Sequence, residues 1–220
     1  MGTMTLADEL LLLASSEIGT FRLGSPALEY GLAGALLIEL ALAERVTIRD
    51  GRVAVTSARP VGEPRLDAAL ARIAGDRPRK PKDWVPKLSR GLRAETLGGL
   101  VAAGILRRQV DVILWVFRKT RHPAVRGGDP AAEIRSRLTA AVNGAGRVEP
   151  RTAALCALVR AVKLEGHVFP GLNKIRVKAR LKEISDGEWA AAGVRKAIEE
   201  MEAAVMVAIM VPAVVAASSG

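Results

Sequence analysis

Most of this 220-residue chain places apolar positions with helical period between punctuating caps and prolines. Thr5 with Asp8 resembles a capping box opening the apolar run 6–14, and Ser25-Pro26 puts a cap and an N1 proline ahead of a long apolar run ending near Glu44. Glu63-Pro64, Asp129-Pro130 and Glu149-Pro150 each place an acid and a proline before an Ala- and Leu-rich periodic segment, giving three helix openings of one design. Ser185 with Glu188 predicts another capping box, starting a last helix that carries Trp189 into an apolar tail.

Two segments alternate with period two and predict β-hairpins. In 46–55, Asp50-Gly51 separates two alternating runs, the strongest short hairpin signal. A second, looser hairpin is expected over 105–119, with a return strand 112–117 that is apolar on both faces and needs a cover of core, lipid or another subunit. The tract 174–182 alternates basic and apolar residues, but Val177, Leu181 and Ile184 also fit helical spacing, and the surroundings favour helix. Residues 32–75 and 92–140 echo each other as helix, hairpin, proline turn, helix. The reading is a mainly α, single-domain helical bundle over 5–217 with two short hairpins and flexible ends at 1–4 and 218–220.

Composition narrows the partners. Lys and Arg number 33 against 23 acids, net +10, which admits both nucleic acid and anionic membranes. A single cysteine, Cys156, sits in an apolar run, cannot form an internal disulfide, and reads as a buried inert thiol suited to a reducing cytosol. The amino-terminal stretch lacks a basic region and has only a short apolar core, so it is not read as a signal peptide. The longest uncharged run, 203–217, falls short of a ~20-residue span and contains Pro212, so any membrane attachment is expected to be peripheral.

Catalytic chemistry finds no anchor. His122 and His167 lie far apart without neighbouring ligands at metal spacing, and none of the nucleophile-elbow, P-loop, dinucleotide or zincin motifs occurs. A non-enzymatic binding protein without cofactor is the best inference.

The densest chemistry is basic. Over 77–93, Arg77, Arg79, Lys80, Lys82, Lys87, Arg90 and Arg93 face one acid, Asp83, with Trp84 among them. Lys and Arg bind phosphate oxygens by charge-assisted hydrogen bonds, and Trp favours a boundary between greasy and wet surroundings, a combination that a phospholipid surface offers. Arg90 and Arg93 are i, i+3 neighbours that a helix would point to one side. A helix pair followed by a hairpin is also the winged-helix outline, which keeps a nucleic-acid binder open as the alternative. It lacks a basic recognition helix, since 31–43 contains no Lys or Arg.

The segments 5–13, 31–42 and 64–70 and the tetrapeptide Thr120-Arg-His-Pro123 resemble, in order and spacing, the Golgi phosphoprotein 3 family, with the composition of a bacterial member. The resemblance implies a helical bundle wrapped by amphipathic helices, an exposed hairpin, and peripheral attachment through phosphatidylinositol 4-phosphate at a basic pocket. Counting back from Val101-Ala-Ala-Gly-Ile-Leu106 carries the family's two phosphate-holding basic residues onto Arg90 and Arg93. A pocket tryptophan and arginine fall at Gly24 and Ala33, where both are missing, so the headgroup is left open. The hairpin Val112, Leu114, Trp115 and Phe117 is implied to mediate self-association and touch the bilayer. The expected headgroup set is therefore Arg90, Arg93, Trp84, Lys87 and Lys82, in a cytoplasmic adaptor on the inner membrane face. A homo-oligomer and protein clients belong to the same implication.

Overall fold

The computed structural model describes residues 4–16, 20–21, 25–113, 117–125, 129–144, 146–187 and 192–218; the side chains of Ser25, 111–113, 117–119 and 211–218 lie outside that description. Its centre is three helices, α1 (Leu6–Ala14), α2 (Ser25–Leu42) and α7 (Pro150–Ala161). Every residue of α1 is buried. Thr5 starts it as expected, its hydroxyl accepting from the Asp8 N–H while the Asp8 carboxylate accepts from the Thr5 N–H.

α2 carries glycines where helices come closest. A Cβ on Gly31 would stand 2.6 Å from Val162 Cγ1, and one on Gly34 would stand 2.4 Å from Val205 Cγ2. Val205 belongs to the long last helix α10 (Ala192–Ser218), which packs on α2, α7 and α4 (Pro81–Ser89). Each glycine costs a helix about 1 kcal/mol relative to alanine. Close packing of neighbouring side chains is the compensating gain.

Around this centre lie α3 (Pro64–Ala74), α5 (Leu92–Ala102), α6 (Ala132–Asn143), the single turn α8 (Glu165–Val168) and α9 (Lys174–Asp186). α3 buries Leu66, Ala69, Leu70 and Ile73, one helical stripe, and its N-cap Glu63 accepts from the Leu66 N–H. α9 is a helix, as chosen between two periods, with Val177, Leu181 and Ile184 buried. The first hairpin pairs β1 (Val46–Arg49) with β2 (Arg52–Val55), and Asp50 and Gly51 both have positive φ, the turn that Asp-Gly favours.

Three expectations need correction. The second hairpin pairs β3 (Gln109–Ile113) with β4 (Phe117–Arg121), so the return strand is Phe-Arg-Lys-Thr-Arg. Val112 is on the outgoing strand, opposite Arg118, and Leu114 and Trp115 lie outside the described residues. The strand that pairs with β3 is β4 and not the apolar return strand expected over 112–117. Ser185 opens no helix: it is buried inside α9 and donates to the Leu181 carbonyl, so the local S-x-x-E pattern is overridden by the α9 stripe. α6 begins at Ala132, two residues past Pro130, because Asp129 spends its carboxylate on the Ala131 N–H and on Arg135.

Buried carboxylates tie the layers together. Arg65 on α3 donates to both oxygens of Asp8 at 2.8 and 2.9 Å. Glu9 accepts from Arg137 of α6 and Arg151 of α7, and Arg151 also donates to Glu39 of α2 at 2.7 Å. Glu39 further accepts from the Leu6 N–H. Burial raises the Asp8 pKa, but the hydrogen bonds from Arg65 and Thr5 and the Arg65 charge together outweigh it and hold the carboxyl below its ordinary value. Burial keeps Glu39 above its own.

Two expected outcomes follow from this packing. Gly34→Ala should cost about 1–3 kcal/mol in chemical denaturation, and less when Val205→Ala has first removed the opposing methyl; equal costs in both backgrounds would contradict the close approach. Arg151→Ala should cost about 3 kcal/mol, the low end for a broken buried pair because a quarter of that side chain stays exposed, and adding Glu39→Gln should recover part of it.

Candidate functional site

The basic run is divided by the fold. Asp76, just ahead of it, accepts from Arg79 at 2.8 Å and from Lys87 at 3.3 Å. The Arg79 hydrogen bond leads in holding its carboxyl well below the usual range. The Arg79 carbonyl accepts from the Val53 N–H, which docks the run along the first hairpin. Trp84 is fully buried, so it fills core and meets no solvent or headgroup. Its Trp84–Leu88 stripe is what made this segment a helix, and the same stripe takes the indole inward. Lys87 lies 6.0 Å from the Trp84 ring centroid, while Lys82 is exposed on α4.

Arg90 and Arg93 do not share a helix. α4 ends at Ser89, Arg90 has extended backbone, and Gly91 adopts φ 76 before α5 starts at Leu92. Only glycine takes that torsion without strain. Arg90 is left exposed at the break. Arg93 is half-buried, its guanidinium 4.5 Å from the Phe21 ring centroid, a stacking distance. Phe21 is held by the loop after α1: Ser15 and Phe21 form an antiparallel bridge, and the Ser16 N–H donates to the Thr20 carbonyl at 2.7 Å.

Beside Arg93 opens a cleft of about 450 Å³. Gly91, Arg93, Ala94 and Leu97 line it from α5, Thr20 and Phe21 from the loop, Glu29 from α2, and Thr120 and His122 from the far end of the second hairpin. No side chain caps the start of α5. Gly91, Arg93 and Ala94 bring the start of α5, the positive end of its dipole, to the cleft wall beside a guanidinium. Burial lowers the His122 pKa from its ordinary 6.5, and the charges of Arg108 and Arg93 lower it further. The two arginines thus add to burial in disfavouring the charged ring. Among the described residues Glu29 is the one carboxylate in the lining, on the α2 side, while the Arg93 guanidinium on the α5 side suits a phosphate oxygen.

The structure thus keeps Arg93 in the site, puts Arg90 at its edge, and leaves Lys82, Lys87 and Trp84 outside it. Ala33 is fully buried and adds no charge, and Gly24 lies outside the described residues. Phe21, Glu29, Thr120 and His122 escaped the sequence reading. The tetrapeptide Thr120-Arg-His-Pro123 was a visible landmark, but its apposition to α5 is a tertiary fact. Cys156 is buried and its thiol is pushed up to about 12, chiefly by that burial. Among the described residues no helix is long and apolar enough to cross a membrane.

The profile of the family Golgi phosphoprotein 3 (GPP34) matches residues 6–201, from α1 into α10. Vacuolar protein sorting-associated protein 74 of Eremothecium gossypii is 28% identical over 146 residues, covering 55% of this chain and 44% of that protein. The match therefore spans less than half of that relative's length.

An anion in the cleft should raise the His122 pKa by supplying the missing counter-charge, so phosphate affinity should grow as pH falls below 6.5 toward the ligand-free value. The ligand-free fold should lose stability over that same interval, because the unfolded chain takes up the proton first. Histidine NMR titration with and without inositol 1,4-bisphosphate checks this; an unmoved His122 at saturation would place the anion elsewhere.

Proposed function

This chain belongs to the Golgi phosphoprotein 3 family, and on that premise we propose that it is a peripheral membrane protein whose α5 cleft receives the phosphate of an anionic phospholipid headgroup of the phosphatidylinositol 4-phosphate kind. The observation that carries the reading is the convergence of the uncapped α5 start, Arg93 and His122 on one headgroup-sized cleft. Arg90, exposed beside Gly91, and Lys82 on α4 supply charge around it. The apolar residues of the second hairpin, Val112, Leu114, Trp115 and Phe117, are the proposed contact with the bilayer and with a second copy. Since Thr120 and His122 continue from β4 into the cleft, headgroup and bilayer would be engaged by one connected unit.

The role is that of a non-enzymatic adaptor on the cytoplasmic membrane face, holding protein clients near lipid. Headgroup discrimination is weak in this reading. Ala33 is buried where the resemblance put an arginine, and Glu29 adds repulsion toward a doubly charged phosphate. The nucleic-acid alternative gains nothing here, because α2, the helix ahead of the first hairpin, is buried from Gly31 to Ile38 and presents no such face to a groove.

Calorimetry with soluble inositol 1,4-bisphosphate separates the site from general membrane attraction. Arg93→Ala should weaken binding about tenfold to a hundredfold, as expected for a charge-assisted hydrogen bond, while Glu29→Gln strengthens it and Lys82→Ala changes it little. Unaltered affinity in Arg93→Ala, with the melting temperature preserved, would remove the cleft from the function.

A further inference from the structure

The amino-terminal half of α9 has a composition that a solvated helix face does not need. Ile175 is 80% exposed, the most exposed of the large apolar side chains in the described residues. Lys174, Arg176 and Lys178 surround it, all exposed, and none makes an ion pair among the described residues. The acids of the helix come late, and Glu183 and Asp186 are taken by Arg180 at 3.0 Å and Lys182 at 2.6 Å. Its charge is thus segregated, cations with a bare isoleucine at one end and neutralised pairs at the other.

Lys174 and Lys178 connect this segment to the surface that holds the α5 cleft, while Arg176 lines a separate cleft with Arg180 and Glu183. Thr20 and Phe21 line that cleft and also a neighbouring one that contains Arg135 and His167. Gly166 and Lys174 line the neighbour and also a third cleft of about 590 Å³, which has Phe169, Leu172, Val177 and Met206 among its walls and Lys163 and Lys178 at its edge. The three abut in series. Each cleft also holds a carboxylate, Glu29, Asp129 and Glu165, so the cationic excess lies on early α9 itself. There exposed Lys174, Arg176 and Lys178 around a bare Ile175 match a lipid interface: ammonium and guanidinium heads stay at the phosphates and the apolar group reaches the acyl boundary.

We propose that Lys174, Ile175, Arg176 and Lys178 form a second membrane contact, which takes an anionic lipid surface rather than a single headgroup. The proposal rests on the peripheral-membrane reading above and adds to it a fixed orientation. A single reversible attachment holds a protein only marginally on a bilayer, and a second one converts the next binding step into an intramolecular event.

The test places an environment-sensitive nitrobenzoxadiazole label on Ile175→Cys in the full chain, where the native Cys156 is buried and unreactive. Vesicles of phosphatidylcholine with phosphatidylserine should shift its emission to the blue, and vesicles of phosphatidylcholine alone should not. Lys174→Gln with Lys178→Gln, both exposed, should weaken vesicle binding about 30-fold, at the worth of a basic residue near an anionic surface. The same variant should keep its melting temperature and its affinity for inositol 1,4-bisphosphate. Vesicle binding with a label that stays in water and a glutamine pair that binds like wild type would overturn the α9 contact and leave the headgroup reading standing. Loss of inositol bisphosphate binding in the wild type, with the label still shifting on vesicles, would do the reverse. A label that responds to polyglutamate and not to vesicles would make this face a dock for an acidic protein segment and overturn the lipid assignment. Failure of the wild type to bind any anionic vesicle would overturn both.

Discussion

The constraint on which the rest of the structure depends is the burial of two carboxylates in the first helix. α1 has no exposed residue, yet Asp8 and Glu9 lie at its start. Removing an ion from water costs several kcal/mol, so these groups are tolerable only where cations reach them. The cations come from three different helices, Arg65 from the outer α3, Arg137 from the outer α6 and Arg151 from the central α7. The positions of those helices around the bundle are thereby coupled to one short segment. The two neighbours are treated unequally. Asp8 has a capping box and a two-pronged guanidinium whose Nε also serves Glu63, whereas Glu9 shares Arg151 with Glu39. Glu39 stays easier to protonate than an ordinary glutamate chiefly because burial disfavours its charge, while Asp8, also buried, is brought below its ordinary value by its Arg65 and Thr5 hydrogen bonds together.

The same arrangement sets the geometry of the cleft. α1 leads directly into the Ser15–Phe21 bridge, and α5 packs on both α1 and α2. The wall carrying Phe21 and the wall carrying Arg93 are therefore referenced to one buried helix. Only the third wall, Thr120 and His122, comes from a hairpin whose strands pair with each other and with no other strand. Rigid binding groups and a laterally independent arm meet at the place where an anion would sit.

Much of the architecture was legible because its signals are local. The Thr5–Asp8 box, the Glu-Pro starts of α3 and α7, and the Asp-Gly turn are decided within four residues, and each element forms there. The choice of helix for 174–182 succeeded because Val177, Leu181 and Ile184 share one face. The failures are cases where a distant partner decides. Apolar content at 112–117 suggested one strand, but the pairing register places the connection within it. Trp84 read as an interfacial aromatic because its neighbours are charged, although the stripe it shares with Val85 and Leu88 turns inward. Asp76 could be seen in the sequence, but not that it would bind two members of the basic run. Family spacing pointed to Arg93 and Arg90 alike, and nothing linear could show that Glu29 and His122 line one cleft with Arg93.

Gly91 bears on how sites of this kind are read in related chains. It carries no charge, yet its left-handed torsion breaks α4 from α5, leaving Arg90 exposed at the break and starting α5 beside Arg93. Were the position to acquire a β-carbon, every basic residue could remain in place while the electrostatic outline of the cleft was lost. A tally of lysines and arginines would score such a chain as intact. The informative position in a comparison is the neutral one between the charges, since it decides whether two arginines act as a pair or as strangers.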